Sequence, residues 1–359
     1  MGDARSIGWA DTVRRESLGL CWSDEGPSGY SLTVLDQRRL PDEEVWIQVQ
    51  SAEHMAELIR TLAVRGAPLI GVAAALAVGL ECATGSHGDR LLDSVAKLRS
   101  ARPTAVNLMW ALDRVLRDSG ALDQDGVTKT ALAIFDEDVA MCEAMGRNGA
   151  SRILEGEGCL TICNTGGLAT VGRGTAFAAL RTAHEQGKKI HVYACETRPL
   201  LQGGRLTTWE LRRLGIPFTL LTDSMAAVLM RENRVQSVWT GCDRMTRRGD
   251  FANKIGTYSL AVLAKHHQKR FYPVLPASTI DLASASGGDI EIEQRGADEV
   301  LGFSSPARGF RWAPEGAATF NPAFDMTPAE LVTEIVLDQA VFSVPQYRAY
   351  VETQMKVGL

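Results

Sequence analysis

A change of rhythm at Gly156-Glu157-Gly158 constrains the fold of this chain more than any other feature. Beyond it, five short apolar runs rich in β-forming residues alternate with stretches of helical periodicity. The runs are Cys159 to Cys163, Ile190 to Cys195, Pro217 to Thr222, Val235 to Gly241 and Phe271 to Leu275. Strands that alternate with helices build βαβ units, so the spacing predicts an α/β fold with a Rossmann-like, mainly parallel sheet. In such sheets ligands sit beyond the carboxyl ends of the strands. Those ends carry Cys163-Asn164-Thr165, Glu196-Thr197-Arg198, Asp223-Ser224, Asp243-Arg244 and Ser278-Thr279. The unusual polar chemistry therefore falls on the edge where this fold takes a ligand.

The first part of the chain reads differently. Residues 30–49 alternate apolar and polar on either side of a charged turn, which predicts a small antiparallel hairpin. Helical periodicity follows at 52–63, 66–83, 89–100, 104–118 and 126–153. The expected organisation is an N-terminal domain over 1–150, a small β piece leading into a helical bundle, and a Rossmann-like α/β domain over 151–359. In the tail, Thr327-Pro328-Ala329-Glu330 carries the signals of a helix start: an N-cap, a proline at the first helical position and a capping-box glutamate.

Several function classes are excluded at this level. A formal net charge of −5 argues against nucleic acid, whose phosphate backbone needs a basic face. The seven cysteines form no C-x-x-C pair and the six histidines no ligand-spaced cluster, so neither a metal nor a disulfide framework is expected. The run from Gly66 to Leu80 is too short to cross a bilayer. Met1 to Ser6 fits the loose myristoylation formula, but nothing polybasic follows to add a second anchor. No basic-then-apolar leader pattern opens the chain. A cytoplasmic protein with reduced thiols and no membrane partner is the expectation.

The candidate site is built from a few motifs. Asn164-Thr165-Gly166-Gly167 turns off a strand toward a helix expected over Leu168 to Leu180, where glycine-bared amides can hold a phosphate. A tight strand-to-helix turn explains the glycines equally well. Cys163 can act in acid–base chemistry if its thiol pKa is lowered, though its position alone favours an inert packed cysteine. Asp243, at an apolar strand end, can carry a raised pKa and serve as a general acid; a helix cap or a partner for Arg244 is the alternative. Arg65 and Arg102 each precede a helix, as a phosphate clamp would require. Gln202 and the pair Asn253-Lys254, the latter at an expected helix start, would complete a polar pocket for sugar hydroxyls.

Taken together these stretches resemble one family, methylthioribose-1-phosphate isomerase of methionine salvage. The carriers are VRGAPLIG (64–71), RPTAVNL (102–108), TICNTGGLAT (161–170), ETRPLLQGGRLTTWEL (196–211), GCDRM (241–245), GDFANKIGTYSLAVLAK (249–265) and NPAFDMTPAEL (321–331). The resemblance implies that Cys163 and Asp243 are the catalytic pair and that Arg65, Gly66, Ala67, Arg102, Gln202, Asn253 and Lys254 contact the substrate. It also implies an aldose–ketose isomerisation without cofactor, in a homodimer. Where the family usually has His, Asp, an aromatic residue and Ser, this chain has Ile162, Cys195, Leu200 and Gly167. Those four positions are expected to reshape the pocket around the sugar's 5-substituent, and 5-deoxyribose 1-phosphate and ribose 1,5-bisphosphate stand as alternative substrates. The extra cations Arg173, Arg247 and Arg248 read as solvated surface. The same fold resembles the regulatory subunits of the guanine-nucleotide exchange factor of translation initiation, a non-catalytic alternative.

Overall fold

The computed structural model describes residues 14–24, 29–120 and 122–357; the myristoylation-like segment Met1 to Ser6 lies outside them. Four short strands open it, β1 (Arg15–Glu16), β2 (Leu20–Ser23), β3 (Ser31–Leu35) and β4 (Trp46–Gln48), paired antiparallel in chain order. The expected hairpin is thus the second half of a four-stranded sheet. Five helices follow: α1 (Ala52–Arg60), α2 (Ala67–Ala83), α3 (Asp89–Ala101), α4 (Val106–Asp118) and α5 (Gln124–Ala150).

Helix α2 is buried nearly all round, from Leu69 to Leu80, and forms the axis of the helical part. Small residues let its neighbours approach closely, and a helix apolar on every face belongs in a core. Helix α5 packs on α2 at one side and on α6 (Ala176–Glu185) at the other, so it joins the helices to the sheet. At that second contact Gly149 lies where a Cβ would meet the Ala179 methyl at 2.5 Å.

The chain continues through β5 (Gly158–Thr161), β6 (His191–Cys195), α7 (Thr208–Arg213), β7 (Phe218–Leu221), α8 (Ala226–Arg231), β8 (Ser237–Thr240), β9 (Arg244–Thr246), β10 (Phe251–Lys254), α9 (Thr257–His266), β11 (Arg270–Pro273), β12 (Ile280–Asp281), α10 (Asp298–Leu301), β13 (Gly302–Ser304), β14 (Gly309–Arg311), β15 (Phe324–Thr327), β16 (Ile335–Val336), β17 (Val341–Phe342) and α11 (Val344–Val357). Strands β5, β6, β7, β8 and β11 are the five runs expected from the sequence. They form one all-parallel sheet in the order β11-β8-β5-β6-β7. The chain starts in the middle, winds outward to β7, then returns to the other side of β5. That reversal between β5 and β8 is a topological switch point, where α/β sheets open a crevice. Buried aromatics fix the sheet's core, with Trp239 and Tyr272 stacked at 4.4 Å between ring centroids.

Three local expectations are corrected. The segment from Leu168 is a loop, and its helix starts only at Ala176. Asn253 and Lys254 end strand β10 instead of opening a helix, because β10 is an inner strand of a small mixed sheet ordered β12-β9-β10-β15. Thr327 ends β15, and Ala329–Leu331 makes a single 3-10 turn. There the strand pairing of Phe251 with Thr327 outweighs the local capping signals.

Candidate functional site

Cys163 lies just past the end of β5 and Asp243 just past the end of β8, on the two sides of the switch point. One cavity of about 250 Å³ opens there. It is lined by Cys163, Asp243, Arg65, Gly66, Ala67, Arg102, Gln202, Asn253 and Lys254, all nine residues singled out from the sequence.

Cys163 is held in an uncommon conformation. Its φ of 65° is left-handed, a region that costs a non-glycine residue unless its surroundings over-determine it. They do. The Cys163 amide donates to Thr197 Oγ1 at 2.7 Å, and its carbonyl accepts from Thr207 Oγ1 at 2.6 Å. Asn164 follows, donating through Nδ2 to Glu210 Oε1 at 2.7 Å while its Oδ1 accepts from Arg65 Nη1 at 3.0 Å.

Glu210, on α7, is buried and also accepts from the amides of Gly167 at 2.7 Å and Leu168 at 3.3 Å. This corrects the reading of the glycine turn as a phosphate cradle: those two amides already serve a carboxylate of the chain itself. Gly166 is glycine for the same reason, since a Cβ there would sit 2.3 Å from Glu210 Oε2.

Asp243 enters through β10, its amide donating to the Ala252 carbonyl at 2.9 Å. The strand then presents Asn253 and Lys254 beside it. Lys254 Nζ donates to the Ala323 carbonyl at 2.8 Å and lies 4.2 Å from the Phe324 ring centroid. Asn253 Nδ2 donates to Thr257 Oγ1 at 2.9 Å.

The electrostatics follow from burial against mutual attraction. Burial pushes the Asp243 carboxyl above its usual range, opposed by Lys254, Arg102 and Arg65. Burial pushes the Cys163 thiol up, and the cations of Arg65 and Lys254 pull against it. Lys254 is lowered by its own burial, with Cys163 and Asp243 opposing. The cavity therefore holds an acid and a thiol with protons to exchange, between two cations that stabilise either anion.

Arg65 and Arg102 come to the same cavity from different directions. Arg65 grips Asn164, by side chain and by its carbonyl at 3.2 Å. Gly66 beside it has φ 109°, and a Cβ there would lie 2.5 Å from Ala169 Cα. Arg102 is paired with Glu293 at 2.9 Å, on the segment 290–295 that forms the far wall. Gln202 is buried and its Oε1 has no partner among the described residues. Sequence reasoning missed Glu210, Arg205, Glu293 and Arg295. Glu210 could have been suspected as a carboxylate on an apolar helical face; the wall from 287 to 306 left no periodic signal.

The sequence profile of the initiation factor 2 subunit family matches residues 63–343. The methylthioribose-1-phosphate isomerase of Klebsiella pneumoniae (strain 342) is 48% identical over 323 residues, covering 90% of this chain and 94% of that protein. The chain belongs to the methylthioribose-1-phosphate isomerase family. Among solved structures it is similar to 5-methylthioribose 1-phosphate isomerase from Pyrococcus horikoshii OT3, at TM-score 0.83 and 38% identity over 93% of this chain and 95% of that one. It is also similar to the translation initiation factor eIF-2B, subunit delta, from A. fulgidus, at TM-score 0.76 and 39% identity over 89% and 97%.

Of the four positions at which this member of the methylthioribose-1-phosphate isomerase family was expected to have a reshaped pocket, only Leu200 lines the cavity. Ile162 and Cys195 are buried in the apolar core under the sheet's end. Gly167 lies beneath Glu210 and the Gly172 carbonyl. Arg173 lies outside the cavity, in an exposed ion pair with Glu185 at 2.5 Å.

Proposed function

We propose that this chain converts 5-methylthioribose 1-phosphate to 5-methylthioribulose 1-phosphate, with Cys163 and Asp243 as the acid–base pair. The observation that carries the reading is their meeting on one cavity at the switch point, with Arg65 and Lys254 around them. The family relationship supports an aldose–ketose isomerase of a sugar phosphate.

The phosphate on C1 blocks spontaneous ring opening, so the protein must open the ring. Asp243, held protonated more readily by its burial, gives its proton to the ring oxygen as the C1–O4 bond breaks. The Cys163 thiolate, whose formation burial opposes and the Arg65 and Lys254 cations assist, removes the proton from C2, and the pair of the C2–H bond forms the C1–C2 double bond. The C2 hydroxyl then returns a proton to Asp243. Cys163 delivers its proton to C1, which leaves a C2 ketone and restores both groups. Atoms and electrons balance, and no cofactor enters. Arg65, Gly66, Ala67, Arg102, Gln202, Asn253 and Lys254 would hold the phosphate and hydroxyls, through charge and through donors fixed before the substrate arrives.

We further hold that the active form is a cytoplasmic homodimer. Apolar side chains exposed at the open β7 edge and on or beside α8, Leu220, Met225 and Val228, support a protein-covered face there. The family resemblance supports both parts of the reading.

The test is ketose formation from 5-methylthioribose 1-phosphate by the wild type, Cys163→Ala and Asp243→Asn. Turnover in the wild type and its loss in both variants supports the reading. Wild-type turnover of only the 5-deoxy or 5-phospho sugar would move the substrate and keep the pair. A second reading, a non-catalytic subunit of an exchange factor, draws on the similarity to the A. fulgidus protein. It gains if a folded wild type turns over none of the three sugars.

A further inference from the structure

Just past the ends of two neighbouring parallel strands, the chain repeats one uncommon conformation. Cys163 follows β5 at φ 65°, and Thr197 follows β6 at φ 66°. Glycine or asparagine takes that region cheaply, whereas a residue branched at Cβ is an outlier there. Thr197 is also fully buried. A threonine placed at such a cost points to a use for its hydroxyl, the inference running from the outlier to the role.

The hydroxyl has two partners. Thr197 Oγ1 accepts from the Cys163 amide at 2.7 Å and donates to the Cys195 carbonyl at 3.1 Å. Valine would fill nearly the same space and make neither bond. The rest of Thr197 is tied down as well. Its amide donates to Asp223 Oδ1 at 2.8 Å, and the next amide, that of Arg198, donates to Asp223 Oδ2 at 2.8 Å. Its carbonyl accepts from the Leu201 amide at 2.8 Å, in the turn that brings Leu200 and Gln202 to the cavity. Asp223 lies past the end of β7, so the carboxyl ends of the adjacent strands β7, β6 and β5 are joined in one line that ends at Cys163. Burial raises the pKa of that thiol and Asp243 adds to the rise, while Arg65, Lys254 and the Asn164 amide oppose it. The Asn164 amide belongs to the peptide that the backbone angles of Cys163 orient, so a released Cys163 turns this donor away from its own thiol.

We propose that Thr197, anchored by Asp223, is a positioning residue that holds the Cys163 main chain left-handed and so keeps its thiol in the cavity. The proposal rests on Cys163 as the reacting thiol, and its first readout does not need turnover. Iodoacetamide is the probe. The rate of Cys163 alkylation is followed across pH in the wild type, Thr197→Val, Thr197→Ser and Asp223→Asn, with peptide mass spectrometry to separate Cys163 from the other cysteines. Steady-state kinetics on 5-methylthioribose 1-phosphate accompany it. In Thr197→Val the alkylation midpoint is expected to rise by about one pH unit as the Asn164 donor is lost. There kcat should fall about ten-fold or more while KM stays within about two-fold. Thr197→Ser keeps the hydroxyl and is expected to restore both. Asp223→Asn must turn an NH2 group toward one of the two amides, and is expected to raise the midpoint by about half a unit. A hydroxyl that only stabilises the fold would lower the melting temperature and leave midpoint and kcat at their wild-type values. That result in Thr197→Val overturns the proposal, as does lower turnover with an unmoved or lowered midpoint. If Thr197→Val does not fold, Asp223→Asn decides, and a wild-type midpoint there overturns the proposal. A raised midpoint with unchanged turnover, or in a protein without turnover, keeps the hold of Thr197 on Cys163 and sinks only the thiol's role in the reaction.

Discussion

Glu210 Oε1 accepts a 2.7 Å hydrogen bond from Asn164 Nδ2, and through Asn164 it meets the guanidinium of Arg65. A carboxylate from α7 and a cation from the start of α2 thus hold the two ends of one amide. That amide is the residue next to Cys163. Burial pushes Glu210 up, and its bonds to Asn164, Gly167 and Leu168 offset only part of that rise.

Glu210→Gln is therefore expected to cost both stability and rate. The new NH2 group must face at least one of three N–H donors, which leaves buried donors unpaired at a cost of about 1–3 kcal/mol. The loop that carries Cys163 shifts with it, so kcat should fall while substrate affinity changes less. Thermal melting followed by circular dichroism, together with steady-state kinetics, checks both. A variant with the wild-type melting point and kcat would remove Glu210 from this role.

Gly66 joins Arg65 to the first turn of α2 and has no room for a side chain. At φ 109° an alanine is strained, and its Cβ would also press on the Ala169 backbone at 2.5 and 2.6 Å. Gly66→Ala should lose roughly 2–4 kcal/mol or displace the 165–170 loop. Urea unfolding measures the first outcome, and loss of turnover with unchanged unfolding reports the second.

Leu200 is the one departure from the family pattern that touches the cavity. If the 5-substituent lies against it, Leu200→Ala removes apolar contact from a methylthio group and little from a methyl group. The ratio of kcat/KM for 5-methylthioribose 1-phosphate to that for 5-deoxyribose 1-phosphate should drop by up to about ten-fold. An unchanged ratio would place the 5-substituent elsewhere, against Phe303 or Ile290 on the far wall.

The five strands and five N-terminal helices were legible because each is an apolar period long enough to declare itself. The switch point was not, because strand order depends on which crossover returns to which side of β5 and leaves no local trace. The nine candidate residues converge because they lie at strand ends and helix starts, places the fold fixes. Asn253-Lys254 and Thr327 were misassigned for one reason: they belong to the small mixed sheet, whose pairings span up to 76 residues, as from Phe251 to Thr327. The glycine turn was misread because the carboxylate that occupies its amides lies on a helix further along the chain, and nothing in TGGLAT points to Glu210.

Asp138 supplies a test by pH. It is buried on α5, accepts from the Val171 amide at 2.8 Å, and its carboxyl is pushed up by burial to about 6, above the ordinary carboxylate range. A carboxyl with a raised folded pKa binds more protons in the native state than in the unfolded one. Stability attributable to it therefore falls as pH rises from about 4 to about 6, and is flat above. The full difference is of the order of 3 kcal/mol. Asp138→Asn keeps an acceptor for Val171 and abolishes the titration. The melting temperature of the variant relative to wild type should rise across that pH range and then stay level. A difference between the two that is independent of pH from 4 to 7 would show that Asp138 keeps an ordinary carboxylate pKa behind the Cys163 loop.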